Sequence, residues 1–134
     1  MLARGTFDVG IIPQPPEDKI EGLTLGRMLL EKKFQGDLEA AGKGQMLTGM
    51  TEVKGSGAYV AIERVTGTLQ GRSGSFILHH LGVMLRGVPR LNVSVVQDSG
   101  TGELTGIEGT MNIIITDGGR RARTRRMVVC VQLN

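Results

Sequence analysis

The sequence predicts an all-β fold, an eight-stranded antiparallel β-barrel, and three observations carry that expectation. Glycine supplies 21 of the 134 residues and is spread along the chain, where it separates short runs of alternating apolar and polar side chains. Those runs number about eight, and no window keeps the apolar repeat of a helix over about 11 residues. Closing that many strands on themselves removes the exposed edges that an open sheet would carry.

The runs follow in order. Residues 5–13 (GTFDVGIIP) place Phe7 and Val9 on one face and Thr6 and Asp8 on the other. Residues 14–22, with Pro15, Pro16, Glu17, Asp18 and Glu21, are expected to form an exposed loop, because proline cannot donate to a ladder. A long β stretch spans 25–47 and bends at Gly36. In its first half Met28, Leu30 and Phe34 share a face with Lys32, while Glu31, Lys33 and Gln35 share the other. Lys32 is thus a charge on an apolar face, expected to run its stem along that face and snorkel to a rim; the alternative is a pocket lysine. Past Gly36, Asp37 and Glu39 point the same way, which suits a solvated face better than paired acid and base work. Residues 49–57 read as a second loop.

The central hairpin runs 59–69 and 73–81 around Gln70, Gly71 and Arg72. Tyr59, Ala61, Glu63 and Val65 share one face of its first strand. In its second, Phe76, Leu78 and His80 alternate with Ser75, Ile77 and His79. Neither strand is cleanly polar on one side, as expected when one face lines a core or cavity and the other is partly covered by an oligomer partner or a loop. Residues 86–89 form a turn and 91–96 a further strand. Residues 98–110 are a glycine-rich turn region with a short apolar element at Leu104 and Ile107. A strand at 111–116 is closed by Asp117, Gly118 and Gly119, and a last one is expected from 127 to 133.

Length bounds the chain to one barrel domain over 1–134. Aromatic residues make up only 3 %, with no Trp, so Leu, Ile, Val and Met must build the core, and the stacking platforms of nucleic-acid binders are lacking. No run approaches the roughly 18–20 apolar residues of a membrane helix, and no apolar signal core precedes the first strand, so a cytoplasmic location is expected. A lone Cys130 excludes an internal disulfide; its place in an apolar alternation predicts a buried, inert thiol. The charge of +3 is local: residues 120–126 (RRARTRR) hold five basic side chains, and the rest has 11 basic against 13 acidic, a net of −2. That cluster reads as a solvated segment rather than a nucleic-acid site.

The words GTFDV (5–9), LGRMLLEKKFQGDLEA (25–40), GSGAYVAIERVTGTLQGRSGSFILHH (55–80) and VVQDSGTGELTGIEGTM (95–111) occur in an order and spacing that resemble the bacterial domain of unknown function 3224 family. The resemblance covers roughly residues 5–119. It implies an allene oxide cyclase-like, calycin-like barrel with a central cavity and self-association as a homo-oligomer, and it implies no activity. The segment 120–134 departs from the aromatic-rich closing strand that the resemblance leads one to expect, as a change of reading frame would make it do.

Glu63 and His80 are the candidate catalytic pair. If the hairpin brings them together, the carboxylate can orient the imidazole and raise its pKa for proton abstraction or isomerisation; the alternative is a structural hydrogen bond in the barrel wall. Tyr59, Arg72 and Lys32 are candidate polar contacts to a small, partly apolar ligand, with Met28, Phe34, Phe76 and Leu78 as the apolar lining. The third reading is a filled barrel that serves as a structural or protein-interaction module, since eight strands leave room only for side chains or one small ligand. No metal is expected, because His79 and His80 point to opposite faces. No cofactor is expected either: GSGAY and DSGTGELTG are turns, with no helix after them to cradle a phosphate.

Overall fold

The glycine-punctuated alternation becomes nine antiparallel strands in a computed structural model that describes residues 1–15, 18–20, 22–114 and 124–132. They are β1 (Leu2–Pro13), β2 (Asp18–Ile20), β3 (Leu23–Gly36), β4 (Leu38–Thr51), β5 (Gly57–Leu69), β6 (Arg72–Leu85), β7 (Val88–Val95), β8 (Glu108–Ile114) and β9 (Thr124–Gln132). Neighbours in sequence pair from β3 to β9, and β1 closes the ring by pairing with β9 on one side and β3 on the other. The result is a closed eight-stranded antiparallel barrel, as the alternation predicts. The ninth strand adds no wall. β2 resumes on β3 where β1 leaves it, with Pro13 opposite Met28 and Asp18 opposite Leu25, so the stretch expected to be all loop keeps three residues of ladder.

The two ends differ. At one, β3 and β4 turn through Gly36, and β5 and β6 turn through Gln70 (φ 46°) and Gly71 (φ 84°), the left-handed pair of a tight hairpin. There the β7–β8 connection folds over the opening as a short 3₁₀ turn, Gly102–Leu104. Thr101 fixes it to β6: its amide donates to Ser75 O at 2.8 Å and its Oγ1 accepts from Ser75 N at 3.0 Å. Leu104 and Ile107 plug the end and pack with Ala3, Phe34, Leu38, Leu69 and Phe76 in one apolar cluster. At the other end the inward positions Val9, Met28, Met46, Tyr59 and Leu91 are only half-buried. The barrel is solid over one half and open at the opposite mouth.

The closing strand forms despite its unusual approach. Met127, Val129 and Val131 turn inward and are buried. The same alternation sends Cys130 outward, where it is exposed, correcting the expectation of a buried thiol. The expected turn at 117–119 and Arg120, Arg121 and Arg123 lie outside the described residues. No helix among the described residues is long and apolar enough to cross a membrane.

Candidate functional site

The pleat of β5 points Ala61, Glu63 and Val65 into the barrel, and that of β6 points Phe76, Leu78 and His80 inward. In the β5–β6 register Ala61 faces His80 and Glu63 faces Leu78, so Glu63 and His80 are diagonal neighbours. Long side chains span that diagonal. His80 Nε2 lies 2.7 Å from Glu63 Oε1. An ionised carboxylate only accepts, so Nε2 carries the hydrogen.

A third group joins them from two strands away. Lys32 on β3 donates from Nζ to the same Oε1 at 2.8 Å, crossing over β4. Two glycines make the crossing possible. Gly42 stands opposite Lys32 and Gly44 opposite Glu63. A Cβ on Gly42 would lie 2.9 Å from Glu63 Oε2 and 3.2 Å from Phe34 Cε2, and one on Gly44 would lie 2.1 Å from Ile62 O. Sequence reasoning missed this pair, although glycines at alternate inward positions of a strand (G-K-G) signal that another group passes close to the backbone. Lys32 therefore does not snorkel. It turns inward because a carboxylate waits across a gap in the wall, and its ammonium sits 4.8 Å from the centroid of the Phe7 ring.

Burial governs the electrostatics. Glu63 is 1 % exposed, His80 5 % and Lys32 9 %. Burial pushes the Glu63 carboxyl up, but the hydrogen bond from His80 and the charge and hydrogen bond of Lys32 outweigh it and hold the carboxyl below its usual value. The ionised carboxylate then offsets the ammonium. Its second oxygen, Oε2, is buried with no hydrogen-bond partner among the described residues, an uncommon condition for a charged group. Tyr59, one inward step beyond Ala61, has its phenol pushed up by burial and then by the Glu63 charge, so it remains a hydroxyl donor.

Tyr59 also lines the mouth. Its ring lies across Gly82, directly opposite on β6, where a Cβ would come within 2.0 Å of Cε1. Beside it, at the rim over β4–β7, a pocket of about 260 Å³ is bounded by the inward Thr48, Tyr59, Gly82 and Leu91 and by the outward Ala58, Val83 and Arg90; Lys32, Glu63 and His80 lie below it and do not line it. The expected lining residues divide accordingly. Met28 and Tyr59 stand in the open half and Lys32 at its floor. Phe34, Phe76 and Leu78 are fully packed in the solid half. Arg72 is exposed at the closed end, eight residues along β6 from His80, or about 26 Å. Among the described residues no three His, Cys, Asp or Glu side chains gather as a metal site would require.

The model of the protein of unknown function family DUF3224 matches residues 3–125. The chain belongs to the DUF3224 family. Among solved structures it is similar to a protein of unknown function of that family from Shewanella oneidensis MR-1, with 44 % identity and a TM-score of 0.90 over 100 % of this chain and 98 % of that one. No curated protein matches the chain. The family match ends just inside β9, whereas the match to the solved structure covers the whole of this DUF3224 chain, β9 included.

Proposed function

We propose that this DUF3224 protein binds a small, partly apolar molecule through the open end of its barrel, with Tyr59 and the Lys32–Glu63–His80 cluster meeting the molecule's polar group. The observation that carries the reading is the cluster's position along the strands: a buried ammonium, carboxylate and imidazole lie between the solid half-barrel and the half-buried apolar rim, with His80 one inward step below Gly82 and Glu63 two below Tyr59, both of which bound the pocket. A few placed polar groups below an apolar pocket is the usual composition of a ligand site, and 260 Å³, just under the usual range of about 300–1,000 Å³, restricts the occupant to a molecule of few atoms. Isomerase or cyclase chemistry by Glu63 and His80 is the less favoured reading, because a carboxyl held below its usual value is a weak base at neutral pH.

The test has two arms. Native mass spectrometry of protein purified from its own host should show a retained small molecule. Titration with the fluorescent probe anilinonaphthalene sulfonate should show binding that Thr48→Trp, which fills the mouth, abolishes and Arg72→Ala does not. No retained mass, together with probe binding indifferent to Thr48→Trp, would remove the proposal.

A further inference from the structure

The joins between neighbouring strands of the ring are unequal. Among the described residues β7 and β8 pair only at Val93–Met111 and Ser94–Thr110, whereas every other join of the ring is paired through at least seven residues of each strand. Toward the closed end the β7–β8 connection continues along β6 where β7 stops: Val96 N donates to Ile77 O at 2.8 Å, and Ile77 N donates to Ser99 Oγ at 3.0 Å. Toward the mouth the two strands part. The register continued from Val93–Met111 would set Asn92 opposite Asn112 and Leu91 opposite Ile113, and neither pair forms. Pro89 on β7 has no N–H with which to extend the ladder.

The parting reaches down to the buried cluster. Val93 is the partner of His80 on β6 as well as of Met111 on β8, so the unpaired part of the wall begins at the level of His80 and runs up to the mouth. Its inward side chains, Leu91 and Ile113, are half-buried and pack on the core, whereas Val93 and Met111 below them are 3 % exposed. The walls on either side of Glu63 offer no such opening, because β5 is paired with β4 and with β6 without a break from Gly57 to Leu69. A structure opens first where the fewest backbone bonds and buried contacts hold it.

We infer that the mouth half of the β7–β8 join is a gate over the cluster, in which Leu91 and Ile113 part to let the polar end of a small molecule reach His80 and then close above it. The inference rests on the binding reading above and supplies what the rim pocket lacks, a path from Leu91, which bounds that pocket, down to the imidazole. No ladder pair above Val93 has to break for the gate to move.

Access to His80 can be timed without any ligand. Diethyl pyrocarbonate, a small electrophile that acylates imidazoles, should modify exposed His79 fast and buried His80 slowly, and fragment-ion mass spectrometry separates the two. In a Cys130→Ser background, Asn92→Cys with Asn112→Cys sets two thiols on the outer face of the parted strands, where a short bis-maleimide can bridge them. Bridging should slow His80 acylation at least about 10-fold and leave His79 unchanged, because it removes the local opening. Arg90→Cys with Ile114→Cys, one outward step nearer the mouth, replaces that pair if it folds poorly. The same bridge across a fully paired join, Lys43→Cys with Arg64→Cys, should alter neither rate. Equal His80 rates with and without the β7–β8 bridge, or no reaction of His80 in the wild type, overturn the gate and leave the binding reading to its own test by Thr48→Trp. A gated His80 in a protein that binds no probe supports the gate and removes the binding reading instead.

Discussion

Removing one charge from the Lys32–Glu63 pair should cost far more than removing both. Lys32→Met deletes the ammonium 2.8 Å from Oε1 and leaves a carboxylate that is 1 % exposed with only His80 to satisfy it. Glu63→Leu instead strands the ammonium over the Phe7 ring. Breaking a buried pair from either side costs about 3–5 kcal/mol, or about 10–18 °C of melting temperature at this chain length. The double variant replaces both with apolar groups of similar bulk, and its residual cost is the orphaned His80 nitrogen, about 1–3 kcal/mol. Simple addition would predict about 6–10 kcal/mol, so the coupling should reach about 3 kcal/mol or more. Urea unfolding of the wild type, both single variants and the double variant measures all four corners. Additivity within about 0.5 kcal/mol, or single losses below about 1 kcal/mol, would show that the groups are solvated and that the buried network is no unit.

Three further outcomes follow from the same geometry. The Glu63 carboxyl has a lower pKa folded than unfolded, so its stabilisation is complete above the ordinary value of 4.5 and is lost as pH falls through the folded value; Glu63→Gln should flatten that acid limb in a plot of melting temperature against pH. Gly42→Ala inserts a methyl group 2.9 Å from Oε2 and 3.2 Å from the Phe34 ring, and should cost about 1–3 kcal/mol in denaturant unfolding while Gly10→Ala, whose nearest neighbour would be Glu31 O at 3.8 Å, costs less. Tyr59→Phe should keep the melting temperature within a few degrees, since the ring stays on Gly82, yet weaken binding of any hydroxyl-accepting ligand measured by calorimetry.

Much of the barrel is legible in the sequence because a strand's period of two is written in every alternation. Phe76, Leu78 and His80 fall inward by parity alone, as do Met127, Val129 and Val131. The diagonal between Glu63 and His80 follows from the tight turn at Gln70–Gly71, which fixes the hairpin register. What parity cannot supply is which inward positions meet across the ring. Lys32 lies on the same apolar face as Phe34, and snorkelling and pairing are equally consistent with that. The choice is made by Gly42 and Gly44 on the intervening strand, a contact that depends on the β3–β4–β5 register together. The same limit hid the division of the interior. Phe76 and Tyr59 are both inward aromatics, but only the plug of Leu104 and Ile107 makes one end solid and leaves the other open.

The cluster's position bears on why so costly an arrangement persists. A buried ion pair is a weak source of stability compared with well-packed apolar side chains of the same volume. The solid half of this barrel shows that the sequence can fill its interior, with Phe34, Phe76, Leu78 and Val65 nearly inaccessible. An interior built for stability alone would continue that packing upward. It does not: β4 gives up two side chains at Gly42 and Gly44, and the carboxylate, imidazole and ammonium occupy the level where the barrel opens. The Lys32→Met, Glu63→Leu double variant separates the two roles. It should keep the barrel, seen as an unchanged circular dichroism spectrum and cooperative unfolding, and lose the probe binding that Thr48→Trp also abolishes. Retention of both fold and binding would assign the cluster to the wall, and loss of the fold itself would make it a keystone of the barrel rather than a part of the site.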